Sequence, residues 1–320
     1  MDNSSMPSLV FNSCSNFQEK GSSFLLLCCE MSQWTMVAGV LLVPFFWFGG
    51  LVHGEISHNF EKCLQFFYEN TIPQGFSGEG ICQRYKNEYR FATLYDKNRR
   101  IPLYSAYKLS PKVSGRPDED WKIEPQLAGE DIKEMAYISD FIEAVKERVK
   151  ESQAVEEDYR VSPYAKGHLA PNGHQETEDD QRATFTLTNA VPQKEDFNSG
   201  PWSTLEQEML KFKKSCNSDM YVITGVIPYA AGTHVINNRV HIPEYLWTAY
   251  CCQSSKVGAA VGRNDKNSND DIVKKNPSLR PDHFKGYDVE KKSLEDLEGI
   301  LRKRLNMPTV SLFKNQCRGG

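Results

Sequence analysis

Residues 186–206 read TLTNAVPQKEDFNSGPWSTLE, and a short way upstream residues 164–174 read YAKGHLAPNGH. The first stretch changes period in its middle. Apolar and polar residues alternate through RATFTLTN (182–189), the pattern of a half-buried strand. A polar loop follows. Pro201 then opens a segment with Leu205, Met209, Leu210 and Phe212 near helical spacing and Lys211, Lys213 and Lys214 in its last turn, the signature of an amphipathic helix. Strand, loop and helix thus carry Asn189, Gln193, Asn198 and Glu206 in that order. The upstream stretch sets two of the chain's seven histidines, His168 and His174, in a polar segment.

Outward from this core the pattern stays mixed. YRFATLYD (89–96) and IPLYSAYKLS (101–110) alternate around the polar KNRR, which predicts a β-hairpin. EDIKEMAYISDFIEAVKERVKE (130–151) predicts an amphipathic helix or helix pair. MYVITGVIPY (220–229) and RVHIPEYLWTAYCC (239–252) are β-rich, and VEKKSLEDLEGILRKRL (289–305) predicts a closing amphipathic helix. No repeat and no long linker interrupts residues 60–320. Hairpin signals among helices place the chain in the α+β class, with a mixed or antiparallel sheet at its core.

Composition is that of an ordinary globular chain, 39% hydrophobic and 25% charged over 320 residues. A formal net charge of −4 argues against bulk attraction to polyanions, so any such site has to be a local basic groove. The sign is uneven, with 14 Lys/Arg against 9 Asp/Glu in residues 256–320. The run WTMVAGVLLVPFFWFGGLV (34–52) is broken near its end by Pro44, Gly49 and Gly50 and is followed by VHGEIS. It predicts a secretory signal cleaved after about Gly54, with an uncleaved signal anchor in a membrane as the alternative. Residues 1–54 are then an N-terminal extension and signal, and 55–320 a single secreted domain. Translation starting at Met31 would bring the run closer to the N-terminus. Of nine cysteines, Cys14, Cys28 and Cys29 precede the run. The other six (Cys63, Cys82, Cys216, Cys251, Cys252 and Cys317) form an even set that predicts three disulfides, their pairing open. No CxxC or HxxxH spacing supports zinc.

Metal-assisted phosphodiester cleavage needs a base to activate water, a hard cation, and cationic donors for the remaining phosphate charge. Magnesium keeps most of its waters, so one or two protein oxygens suffice to hold it. Taken singly, His168, Asn198 and Glu206 have commonplace explanations as a core histidine, a cap neighbour and a solvated helix residue. Taken together, KGH followed by TN, PQ, N, G, W and LE resembles the DNA/RNA non-specific endonucleases of the ββα-metal class. Within that class, RFATLYD, IPLYSAY, ATFTLTNAVPQ and IPEYLWTAYCC are similar to the vertebrate endonuclease domain-containing 1 proteins. The resemblance covers roughly residues 60–317.

This resemblance implies that His168 is the general base and Asn198 the direct Mg²⁺ ligand, with Mn²⁺ as an alternative cation. It implies that Glu206 holds a metal-bound water and that Asn189 and Gln193 order the loop and the phosphate. SGRPDEDWKIEPQ resembles the family's upstream segment and nominates Arg116 for a phosphate contact. The expected substrates are DNA and RNA, cleaved with little sequence preference to 5′-phosphates, with no stable protein partner. A base must be neutral to accept a proton, so activity is expected to rise through the ordinary histidine range.

Two departures stand out. Where the family has Asp-Arg-Gly-His, this chain has Ala165-Lys166-Gly167-His168, losing a carboxylate and exchanging a bidentate fork for a point charge. Leu210 stands where a second phosphate-binding arginine is found. Such losses weaken stabilisation of transition-state charge while sparing base and metal ligand. The rival expectation is a nuclease fold retained as an inactive binding protein. His174 is expected to be an ordinary loop histidine.

Overall fold

The computed structural model describes residues 56, 59–111, 115–118, 120–252, 256–268, 270–276, 278, 281–314 and 317. All lie in a compact unit spanning His53–Gly320. The apolar run 34–52 and the cleavage expected near Gly54 fall outside the described residues. Among those residues no helix is long and apolar enough to cross a membrane.

Eleven strands are described: β1 Glu79–Tyr85, β2 Glu88–Asp96, β3 Ile101–Lys108, β4 Tyr164–His168, β5 Ala190–Lys194, β6 Met220–Pro228, β7 Val235–Ile236, β8 Val240–His241, β9 Pro243–Cys252, β10 Val257–Arg263 and β11 Val289–Lys292. The longer helices are α1 Glu143–Ser152, α2 Glu156–Arg160, α3 Glu178–Ala183, α4 Ser203–Lys213 and α5 Leu294–Arg304. Seven strands form one antiparallel sheet in the order β1-β2-β3-β6-β9-β10-β11, beside the two-stranded ribbons β4-β5 and β7-β8. Short turns close the hairpins. Lys86 and Asn87 between β1 and β2, and Asn237 and Asn238 between β7 and β8, all have positive φ, a conformation asparagine tolerates well. The class is α+β, as expected.

The central strands β6 and β9 are buried along nearly their whole length because both faces of the sheet are covered. Side chains alternate between the faces. Val222, Val226 and Leu246 join a core with α1, α2, the β4-β5 ribbon and α4. Ile223, Ile227, Trp247 and Ala249 join a second core with residues 60–68, α5 and residues 310–317. Three disulfides tie this arrangement together: Cys63–Cys82, Cys216–Cys252 and Cys251–Cys317. Cys251 and Cys252 are neighbours on β9 and so point to opposite faces, each reaching a different layer.

Two expected elements differ. Of residues 130–151 only a 3-10 turn at Ile138–Asp140 and the α-helix from Glu143 are helical, because Met135 donates to the Arg84 carbonyl and Ala136 bridges Ile123 in a strand-like contact. The alternation at 182–189 is not a strand of the ribbon. Its residues run from the end of α3 through a single parallel bridge, Lys122 to Thr186, and a turn at Leu187–Asn189, and pairing with β4 begins only at Ala190.

Candidate active site

The β4-β5 ribbon pairs His168 with Ala190, Gly167 with Val191 and Ala165 with Gln193. Both ends are pinned. At the histidine end the buried Asn189 carboxamide accepts from the Ser105 hydroxyl at 2.9 Å and from the Ala170 amide at 2.9 Å, and donates to the carbonyls of Ala170 and Thr184. At the other end Asn264 accepts from the Lys194 amide and donates to the carbonyls of Pro192 and Pro243, joining β5 to β9. Gly167 has a specific cause. A Cβ there would meet the Gln193 carboxamide at 2.0 Å, so only glycine lets that side chain pass beneath the strand.

From β5 the chain makes one helical turn, Glu195–Phe197, and a wide turn through Asn198–Trp202 before α4. Gly200 breaks the helical dihedrals there, and Phe284 packs where its Cβ would be. The wide turn presents Asn198, and the first turn of α4 presents Glu206.

These elements enclose a cleft of about 760 Å³. Its wall brings together Arg116, Lys166, His168, Asn198 and Glu206, with Trp121, His174 and Leu210. Asn189 and Gln193 are not part of the wall; both are fully buried in the support beneath it. Five of the nominated residues thus line one cleft, whereas Asn189 and Gln193, expected to order the loop and the phosphate, reach it only through the ribbon they support.

His168 sits in an aromatic corner, 4.9 Å from Trp121 and 4.9 Å edge-on from Phe185, ring centre to ring centre. Part of the residue opens to the cleft, but Nε2 is buried with no hydrogen-bond partner among the described residues. Burial, and then the charges of Arg116 and Lys166, push its pKa down to about 3. The imidazole is consequently neutral across the usual range of pH. Arg116 lies with its guanidinium 5.6 Å above the Phe185 ring. Lys166 is occupied: its ammonium is 2.9 Å from Glu156 and 4.8 Å above Trp121.

Glu206 is partly buried, and burial alone pushes its carboxyl up to about 8. Among the described residues, neither that carboxyl nor the Asn198 carboxamide has a hydrogen-bond or ion-pair partner. An uncompensated carboxyl beside an uncommitted amide oxygen suits a hard, largely hydrated cation, which needs few protein ligands. No group of three or more His, Cys, Asp or Glu side chains that could hold a metal occurs among the described residues. A richer ligand set is not what this cleft offers.

His174 is not an ordinary loop histidine. It is 1% exposed, and its Nε2 lies 3.0 Å from the Glu206 carbonyl, which can only accept. Nε2 therefore carries the proton, and Nδ1 accepts from the Tyr107 hydroxyl at 2.9 Å. The neutral ring joins β3 to α4 behind Glu206. Burial holds its pKa at about 4. The unfolded chain thus takes up a proton near pH 6.5 that the folded chain refuses until about pH 4. The contribution of His174 to stability is therefore constant above pH 6.5 and falls by roughly 3 kcal/mol as pH drops toward 4. His174→Gln keeps a donor and an acceptor without a titrating group. Urea denaturation between pH 4 and 7 should show the wild type losing roughly 3 kcal/mol relative to the variant as pH falls toward 4.

The model of the DNA/RNA non-specific endonuclease family matches residues 68–304. The human endonuclease domain-containing 1 protein is 33% identical over 232 residues, 70% of this chain and 45% of its own length. The mouse protein is 30% identical over 300 residues, 89% of this chain and 53% of its own. The chain thus spans about half the length of these relatives. A solved chain from a crystal structure of the EndoG/EndoGI complex aligns over 78% of this chain and 91% of its own, with a TM-score of 0.47 and 18% identity. The family match spans β4, β5 and α4, the elements that build the cleft, and the chain belongs to the DNA/RNA non-specific endonuclease family.

Proposed function

We propose that this chain is a metal-dependent endonuclease that hydrolyses phosphodiester bonds of DNA and RNA with little sequence preference, using His168 as general base. The carrying observation is a neutral imidazole facing a cleft it shares with an unpartnered amide and an unpartnered carboxyl. His168 accepts the proton of the attacking water. Arg116 and Lys166 offer positive charge to the phosphate, and Trp121 and Phe185 hold the base in place. Asn198 would ligate Mg²⁺ or Mn²⁺ directly, with Glu206 receiving hydrogen bonds from the cation's hydration shell. The cation, when bound, supplies charge stabilisation to the departing 3′ oxygen, leaving a 5′-phosphate. Three disulfides support a chain made for an oxidising compartment, and so the secreted location.

A plasmid-nicking assay tests the reading. Nicking is expected with Mg²⁺ and is expected to vanish with EDTA. Glu206 is protonated below about pH 8, so deprotonation has to accompany use of its carboxylate. The Mg²⁺ concentration for half-maximal nicking should therefore fall roughly tenfold per pH unit up to about pH 8 and level off above it. Glu206→Gln should flatten that dependence. Equal nicking in EDTA would overturn the metal-dependent mechanism.

A further inference from the structure

We infer that Glu156 is a built-in counter-ion for Lys166, one that a backbone phosphate entering the cleft has to displace. Glu156 thereby sets the strength and the salt sensitivity of polyanion binding. The inference rests on the reading of the cleft as a phosphodiester site.

Arg116 and Lys166 are the two permanently cationic side chains in the cleft wall among the described residues. The Lys166 ammonium lies between the Glu156 carboxylate, 2.9 Å away, and the Trp121 face. The pair is close to neutral when seen from outside, which takes the Lys166 charge out of the field that the wall presents to an approaching anion. Glu156 is 56% exposed in its side chain, so water screens the pair and phosphate can exchange for it.

The position of Glu156 is no accident of a floppy surface. It opens the short helix α2, whose Asp158 is fully buried. Asp158 accepts from Arg239 at 2.8 Å, from Asn237 at 2.9 Å and from the Val155 amide at 2.8 Å. Arg239 also donates to the carbonyl of Gln153. Val155 and Tyr159 on either side are buried in the core that supports β4. The backbone of Glu156 is thus fixed to the β7-β8 ribbon, two residues from an anchored ion pair, and its carboxylate keeps station over Lys166.

Binding of a short labelled DNA duplex, followed by fluorescence anisotropy over a salt series, tests this. A His168→Ala background slows cleavage and EDTA withholds the cation, and thermal melts check that each variant folds. Glu156→Gln is expected to tighten binding roughly fivefold at low salt, the equivalent of one water-screened charge contact. It should also steepen the slope of log K against log salt by up to about 0.9, the signature of one further neutralised phosphate. The gain should disappear when Lys166→Gln is combined with it. Unchanged or weakened binding by Glu156→Gln overturns the inference. So does a gain that persists without Lys166, since Glu156 would then act by general repulsion. A parent chain that binds no duplex at any salt overturns instead the phosphodiester reading on which the inference stands.

Discussion

His168→Ala is expected to lower the rate of plasmid nicking by roughly two to four orders of magnitude while leaving DNA binding in place, because it removes the proton acceptor and neither cation of the cleft wall. The pH profile carries a second signature. An imidazole with an ordinary pKa would make activity rise between pH 6 and 7, the expectation drawn from sequence. Burial in the aromatic corner moves that limb down, toward about 3, so His168 is already neutral where an exposed histidine would be half protonated. The rise assigned to the base should accordingly lie well below pH 6, leaving the Glu206 carboxyl as the group that shapes the neutral range. If wild type and His168→Ala nick equally, the base lies elsewhere, and an inactive scaffold that binds nucleic acid becomes the better reading.

Arg239→Met is expected to destabilise the fold by about 3–5 kcal/mol, the cost of leaving a buried carboxylate without its cation. Asp158 is wholly enclosed, and Arg239 meets it with one guanidinium nitrogen at 3.0 and 2.8 Å from its two oxygens. Asn237 and the Val155 amide remain as donors in the variant, but neither brings a charge. Urea denaturation should show a lower midpoint with little change in slope. Adding Asp158→Asn to Arg239→Met should recover part of the loss, since the stranded charge is removed. A change below about 1 kcal/mol on Arg239→Met would mean that water reaches Asp158 and that the pair is an ordinary surface contact.

The hairpin β2-β3 and the strands β6 and β9 were legible because alternation and turn residues are local signals, and local rules decided those segments. Met135 and Ala136 sit in a run of helical spacing yet are not helical, because their partners, Arg84 and Ile123, lie far off in sequence and those contacts outweigh the local pattern. At the site, the spacing from Gly167-His168 to Asn198 and Glu206 was enough to nominate residues that the fold gathers in one cleft. The supports were not legible. Tyr107, which fixes the tautomer of His174, is 67 residues away from it. Trp121 and Glu156 reach Lys166 from separate segments, and nothing in the motif itself announces either. Asn264, which joins β5 to β9, lies about 70 residues from the motif it supports and carries no local sequence signal of that role.

The adjacent cysteines on β9 have a consequence for the chain as a covalent object. Cys216–Cys252 closes one ring and Cys251–Cys317 closes the next, and the two rings share the single peptide bond between Cys251 and Cys252. Every backbone bond from residue 216 to residue 317 therefore lies inside at least one ring. A protease that cuts once anywhere in that span severs the polypeptide and frees no fragment. The nicked protein should migrate as an intact chain until a reductant is added, and only then fall into two pieces.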